Sequence, residues 1–356
     1  MKRMKKTLLV GCLALPLPAL AQTEVATYHP GATVEGVTYF LPRTALRVTV
    51  EAEKTVVTPG ELNKYAFRYL RLKDVPTEAQ TTWTIKRITL EPYGTPDREK
   101  AYSIKLKGRT VAPLVSLTKD GILLAINTQK AESTLAPVST GTPAPAQLNP
   151  RQYMSQEILS AGSTAKMAEL CAQEIYDIRE SRNELVRGQA DNTPKDGAQL
   201  QLMLGQLDTQ ARALEQLFSG TTQSSTEVFS FNYDPQRETQ QDILFRFSQL
   251  AGVVDKDDLS GSPVYISIRN MGNLPATTPS VETNRKKAKM EQGVYYNVPA
   301  REAVSIFDAT TTYCTAEVSM AQFGNVEILS DILFDKKSTI RATFHQETGG
   351  LQRLDQ

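Results

Sequence analysis

The stretch AKMAELCAQEIYDIRESRNELVRGQADNTPKDGAQLQLMLGQLDTQARALEQLFSG, Ala165–Gly220, decides how the rest of the chain is read. In its first half Met167, Cys171, Ile175, Ile178, Arg182 and Leu185 recur at helical spacing. All but Arg182 are apolar, so one face of a helix is oily and the rest polar. Arg187 suits the negative end of that helix, and Gly188 can supply a left-handed stop. Thr193-Pro194-Lys195-Asp196 reads as the start of a second helix. Thr193 is placed to cap, Pro194 sits where no donor is needed, and Asp196 reaches back. Leu200, Met203 or Leu204, Leu207, Ala211, Leu214 and Phe218 carry the stripe on to Gly220. The short connection permits only a return, so residues 161–220 read as a long antiparallel α-helical hairpin. Ordering such a pair costs more than its own stripe offsets, so it must dock on its flanks.

Both flanks read as β-rich. In the first, residues 22–127, Leu46, Val48, Val50 and Ala52 alternate with Arg47, Thr49 and Glu51, the pattern of a half-buried strand. Pro59-Gly60 breaks it and opens a helix with Leu62, Tyr65, Ala66, Tyr69 and Leu70 on one face. Strand-like runs follow to Asn127, the last two joined by the turn Thr118-Lys119-Asp120-Gly121. Residues 128–160 shift to Ser, Thr, Ala and Pro without periodicity and read as a semi-stiff linker. The second flank, residues 221–356, has strand-like runs from Val228 onward, interrupted by a polar loop from Asn270 to Gln292 with Arg285, Lys286, Lys287 and Lys289. Gly36-Val37-x-Tyr39-x-Leu41-Pro42 has a counterpart in Gly293-Val294-x-Tyr296-x-Val298-Pro299, which suggests related β units. The expected fold is α+β, with two β-rich domains flanking the helical hairpin.

The first 21 residues differ from everything after them. Lys2, Arg3, Lys5 and Lys6 form a positive head, Leu8–Leu17 an apolar run, and Ala19-Leu20-Ala21 a small-residue cleavage site. This is the pattern of an export signal peptide, with Gln22 as first mature residue. Leu9-Val10-Gly11-Cys12 has the form of a lipid-attachment box, the lesser reading, since few apolar residues precede Cys12. Forty basic against 39 acidic residues give a net charge of +1; losing the four basic residues of the leader leaves 36 against 39, a net of −3. That balance gives no overall electrostatic case for nucleic acid or an anionic membrane, and no later run is long and apolar enough to span a bilayer.

Chemistry-bearing motifs are sparse. The two histidines, His29 and His345, sit in no Gly-x-Ser-x-Gly context, and no glycine-rich phosphate loop is present. Removing the leader leaves Cys171 and Cys314, both on apolar faces, and two Cys with two His are a poor zinc set. Asp255-Lys256-Asp257-Asp258 lacks the glycine and ligand spacing of a calcium loop and reads as a surface turn. Trp83 is the single tryptophan, a thin basis for a sugar platform. No cofactor or metal is expected. The candidate binding residues are Arg179 and Arg182, two arginines in one helical turn, and Asn192, Lys195 and Asp196 at the polar tip between the helices.

Gly36–Val50, the Lys64-Tyr65-Ala66 to Leu70 segment, Arg179-Glu180-Ser181-Arg182, Thr193-Pro194-Lys195-Asp196-Gly197 and Ala321-Gln322-Phe323-Gly324 together resemble an uncharacterised family of exported Bacteroidetes-type proteins, catalogued as a domain of unknown function. The likeness covers nearly all of the chain after its leader. It implies export from a Gram-negative cell and supplies no reaction; it also implies a glycine where Arg71 stands. The expected function is an exported cell-envelope binding or assembly module, periplasmic or outer-membrane-associated, whose partner is another envelope protein. The alternative is an exported hydrolase whose carboxylate pair is set only by the fold.

Overall fold

Strand β2, Gly36–Thr58, is long enough to serve two cores, and the fold is built on that property. The computed structural model describes residues 24–28, 36–105, 115–191, 194, 196–274, 293–330, 333 and 340–355. The leader with Cys12 and Gln22, His29, Asn192, Thr193, Lys195 and the basic run at residues 285–289 lie outside them. Ahead of β2 stands the short β1, Glu24–Thr27. Along β2, Leu46, Val48, Val50 and Ala52 are sealed from water and their neighbours Arg47, Thr49 and Glu51 are half-buried. This is the period of two expected of a strand with one face on a core.

A turn of 3₁₀ helix at Asn63–Tyr65 and the short α1, Ala66–Leu70, lead into β3, Gln80–Lys105. Strand β3 returns antiparallel along β2 from Val57↔Gln80 to Gly36↔Lys105. The hairpin β4–β5 follows (Val115–Leu117, Leu123–Ile126), then α2, Gln156–Leu159, α3, Thr164–Arg187, and α4, Gly197–Ser219. The remaining strands are β6, Thr221–Tyr233, β7, Thr239–Ser248, β8, Gly252–Val254, β9, Ser262–Asn270, β10, Gly293–Phe307, β11, Thr312–Ser330, β12, Arg341–Phe344, and β13, Leu351–Asp355. They form three sheets, in the orders β1-β3-β2-β6, β11-β10-β9-β7-β8 and β13-β12-β5-β4.

The expectation of an α+β fold with two β-rich domains flanking a long antiparallel helical hairpin is corrected here. Strands take 48% of the described residues and helices 23%, so the fold is mainly β. Strand β6, which follows the helices, pairs with β2 from Leu46↔Tyr233 to Thr58↔Thr221. Strand β12 likewise pairs with β5. Two of the three sheets thus mix strands from both sides of the helical segment. Periodicity reports which face of a segment is oily; it carries no information on which distant edge that segment joins.

The helices form a side layer on this frame. Cys171, Ile175 and Ile178 of α3 and Leu214, Leu217 and Phe218 of α4 are buried with Leu62, Ala66 and Leu70 around α1, and with Ile158 of α2. Gly188 closes α3 at φ 67°, and Arg71 closes α1 at φ 57°, a left-handed position that glycine takes without strain. Helix α4 starts later than the capping reading places it: Asp196 is the cap, its Oδ1 accepting from Ala198 N at 3.1 Å. The far part of the layer is wet, with Leu202 65% exposed. The segment 128–150 runs over the surface as a strap. Thr142 exchanges backbone hydrogen bonds with Thr226, and Gln147 Nε2 donates to Thr221 Oγ1.

Two prolines explain how long strands serve two cores. The β2–β3 register shifts between Phe40 and Pro42, and the β10–β11 register between Val298 and Ala300, around Pro299. Proline has no N–H for the ladder and favours such irregularities. Before the break Tyr39, Leu41 and Val294 enter one core with Ile126, Ala342 and Phe344. After it Leu46, Val48, Val50, Val304 and Ile306 enter the other, with Phe245, Ile266 and Met320. The likeness between Gly36–Pro42 and Gly293–Pro299 marks two strands with the same job, each crossing from one core to the other.

The two strands are pinned where they bend. Asn297, fully buried, donates through Nδ2 to Pro42 O at 3.0 Å and to Thr348 O at 2.8 Å, and its backbone N donates to Gly349 O. Thr44 Oγ1 donates to Glu347 O and accepts from Ala321 N, while Gln322 bonds both the N and O of Thr44. Gly349 adopts φ 67° with Pro42 Cδ 2.6 Å from where a Cβ would stand, so no side chain fits. Asn297→Ala leaves two buried carbonyls without that donor and should lower stability by about 2–4 kcal/mol in a urea melt. A loss no larger than that of a surface substitution would show that the crossing is held by other contacts.

Candidate functional site

The same crossing builds a concavity. It is an open groove of about 570 Å³, floored by Tyr296, Val298, Pro299 and Arg301 of β10 and by Glu317 and Ser319 of β11. The turn carrying His345, Glu347 and Thr348 walls one side, and Pro92 of β3 closes part of the other. Alternation explains the floor: Val304, Ile306, Val318 and Met320 point to the core, so Arg301, Glu317 and Ser319 point out. The wall turn is rigid, because His345 N donates to Gly350 O at 2.8 Å and Gly349 N donates to His345 O at 2.7 Å. Among the described residues the Arg301 guanidinium and the His345 ring have no hydrogen-bond or ion-pair partner. Glu347 lies near Lys130, whose ammonium donates to Phe344 O and Gln352 Oε1, and whose pKa is lowered by burial. The groove therefore offers a free cation, an imidazole and two carboxylates on a firm β floor.

One residue beside Arg301 breaks the pattern. Glu302 occupies the inward register with Ala300, Val304 and Ile306, is fully buried, and neither carboxylate oxygen has a hydrogen-bond partner among the described residues. It sits opposite Asn270 at the rim of the sandwich; Asn270 Nδ2 in turn donates to Glu238 at 3.5 Å. Burial first, and the neighbouring Glu238 charge second, push the Glu302 carboxyl up to about 7.

Across residues 35–352 the sequence matches the profile of a family described as a domain of unknown function, DUF4831. The chain belongs to the DUF4831 family. No curated protein and no solved structure matches it. The family assignment covers both cores, the helical layer and the groove of this DUF4831 protein, and it brings no reaction with it.

Of the residues singled out from the sequence, Arg179, Arg182 and Asp196 lie away from the groove. Arg179 Nη2 bonds Glu215 Oε1 at 2.6 Å and its guanidinium lies 5.5 Å from the Tyr176 ring centroid. Arg182 Nε bonds Asp208 Oδ1 at 2.7 Å. Both arginines thus tie α3 to α4. Asp196 caps α4, and Asn192 and Lys195 lie outside the described residues. Arg179, Arg182 and Asp196 do not line the groove. Cys171 and Cys314 are unpaired, and burial pushes the Cys171 thiol up to about 11. Trp83 is 7% exposed beneath the Lys54 ammonium, so it offers no open ring face. Among the described residues no three of His, Cys, Asp and Glu are grouped to hold a metal ion, and no helix is long and apolar enough to cross a membrane. Sequence reasoning passed over Arg301, Glu317 and Glu347. The signal that could have found the region is Glu302, an acid in register with Val304 and Ile306.

The Glu302 geometry fixes a pH dependence. Between the ordinary value of 4.5 and about 7, the unfolded chain gives up this proton and the native protein keeps it. The native state then binds more protons, so stability falls as pH rises through that window, by about 3 kcal/mol in all, and the Glu302 contribution levels off above it. Glu302→Gln should remove this part of the slope, read from urea midpoints at about pH 5 and about pH 8. An unaltered difference between the two midpoints would place the Glu302 carboxylate in water.

Proposed function

We propose that this DUF4831 protein is an exported cell-envelope module, periplasmic or outer-membrane-associated, that binds or assembles with another envelope protein through the groove at the strand crossing. The observation that carries the reading is the groove's form. It is open, it lies on a rigid β floor, and its Arg301 and His345 side chains have no hydrogen-bond or ion-pair partner among the described residues. Recognition of another protein wants such firm, accessible polar groups next to apolar surface. Tyr296, Val298, Pro299 and Leu351 supply that surface in the same groove. The leader-like residues 1–21 support the envelope setting.

An exported hydrolase is the second reading, kept because Glu317 and Glu347 line one groove. Its openness weighs against that reading, since carboxylate catalysis profits from a desolvated acid. Arg301→Glu with His345→Ala should sharply reduce the partner recovered by cross-linking in intact envelopes, with the melting curve unmoved. Equal recovery would take the groove out of partner binding.

A further inference from the structure

Two surface patches away from the groove complement one another. The first is Lys64-Tyr65-Ala66-Phe67-Arg68-Tyr69-Leu70-Arg71-Leu72-Lys73, which holds four cations and no carboxylate. Leu62, Ala66 and Leu70 anchor it in the helical core, and this leaves Lys64, Arg68, Arg71 and Lys73 exposed, with Phe67 53% exposed. None of the four cations has an ion-pair partner among the described residues. Arg71 instead lies 5.7 Å from the Phe67 ring centroid and Arg68 5.4 Å from that of Tyr69. Guanidinium groups laid on rings keep their full charge for an outside partner. Tyr176 of α3, 44% exposed and donating to Tyr69 O at 2.8 Å, widens the aromatic face.

The second patch is the pair of turns flanking β8. Leu250 is 73% exposed and Leu259 82%, and between them in sequence stand Asp255, Asp257 and Asp258, with Lys256 the single cation. In the first turn Ser248 Oγ accepts from Leu250 N and Ala251 N at 3.3 Å; the second is held through Arg246. Arg246 donates through Nε to Lys256 O at 2.8 Å and through Nη1 to Gly261 O at 3.1 Å. Asp255 Oδ1 accepts from Asp257 N, and Asp258 Oδ1 accepts from Ser260 N. The two leucines are therefore presented to solvent on a fixed acidic platform.

We infer that the two patches are halves of one interface between copies of this chain, the acidic leucine turns of one copy seating on the basic aromatic face of another. Charge and apolar surface match in both respects. Both patches also lie toward the end of the first sheet where Val57 pairs with Gln80: α1 follows β2 from that end, and Trp83 N donates to Gln249 O beside Leu250. A two-fold pair can then use each patch twice, which closes the assembly as a dimer and doubles the buried area. An anionic lipid surface is the weaker occupant, because the acidic turns at the same end would meet it as well.

Sedimentation velocity of the purified protein tests the interface. It should show a monomer–dimer equilibrium that weakens as salt rises, since exposed charges are screened. Arg68→Glu alone and Asp257→Lys alone should each weaken dimerisation by about tenfold or more, and the combined variant should recover it. Recovery in the combined variant excludes misfolding as the cause of either loss. A protein that stays monomeric throughout overturns the inference, and so does a combined variant no tighter than the single ones. Binding of a monomer to phosphatidylglycerol vesicles, lost in Arg68→Glu, would also overturn it and assign the basic face to lipid.

Discussion

The structure depends on how two long strands pass one another at Pro42 and Pro299. Each strand must leave one sheet-lined core and enter another, and a regular ladder gives no way to turn. Proline interrupts the ladder without leaving an unpaired N–H, so the bend arises where a donor is already missing. The carbonyls exposed at the bend still need donors. Asn297 supplies them to Pro42 and Thr348, and Gln322 and Thr44 close the remaining gap. Buried polar side chains at this density are costly unless satisfied; here Thr44, Gln322 and the Asn297 amide nitrogen bond backbone, while Asn297 Oδ1 has no partner among the described residues. Specificity of the crossing follows: the bonding pattern of Asn297 fits one relative placement of β2, β10 and the 345–350 turn.

The groove inherits its properties from that crossing. Its floor is the outer face of β10 and β11 just past the Pro299 break, and its wall is the turn that Gly349 and Gly350 let press against the prolines. Residues needed for packing and residues free for recognition therefore alternate along the same few strands. Glu302 is where the alternation carries a charge inward. A carboxyl in a desolvated place beside another acid holds its proton up to about pH 7, which makes this end of the sandwich sensitive to pH.

The helical layer has a different character. Its inner stripe is buried against α1, α2 and the segments beside them, while its outer portion is wet and laced by Arg179–Glu215 and Arg182–Asp208. Exposed pairs of this kind contribute little stability individually. They orient α4 on α3, and the energy that holds the layer comes from Cys171, Ile175, Leu214 and Phe218 in the common core.

What the sequence by itself determined is local. The stripes of Met167–Leu185 and Leu200–Phe218 and the alternation at Leu46–Ala52 each report a face, because burial imposes a period that needs only neighbouring residues. The stop at Gly188 and the turn at Asp120-Gly121 were legible for the same reason, since φ > 0 restricts residue type. Two prolines in matching runs were legible as a likeness, though not as a pair of crossings. Only the tertiary structure decided that β6 returns to β2 across the helices, which dissolves the two-domain reading into a mainly β frame. It alone also brought Arg301, Glu317, His345 and Glu347 around one groove. Strand partners and groove walls are set by contacts between residues far apart in the chain, and no periodicity within a segment encodes which distant edge will satisfy its hydrogen bonds.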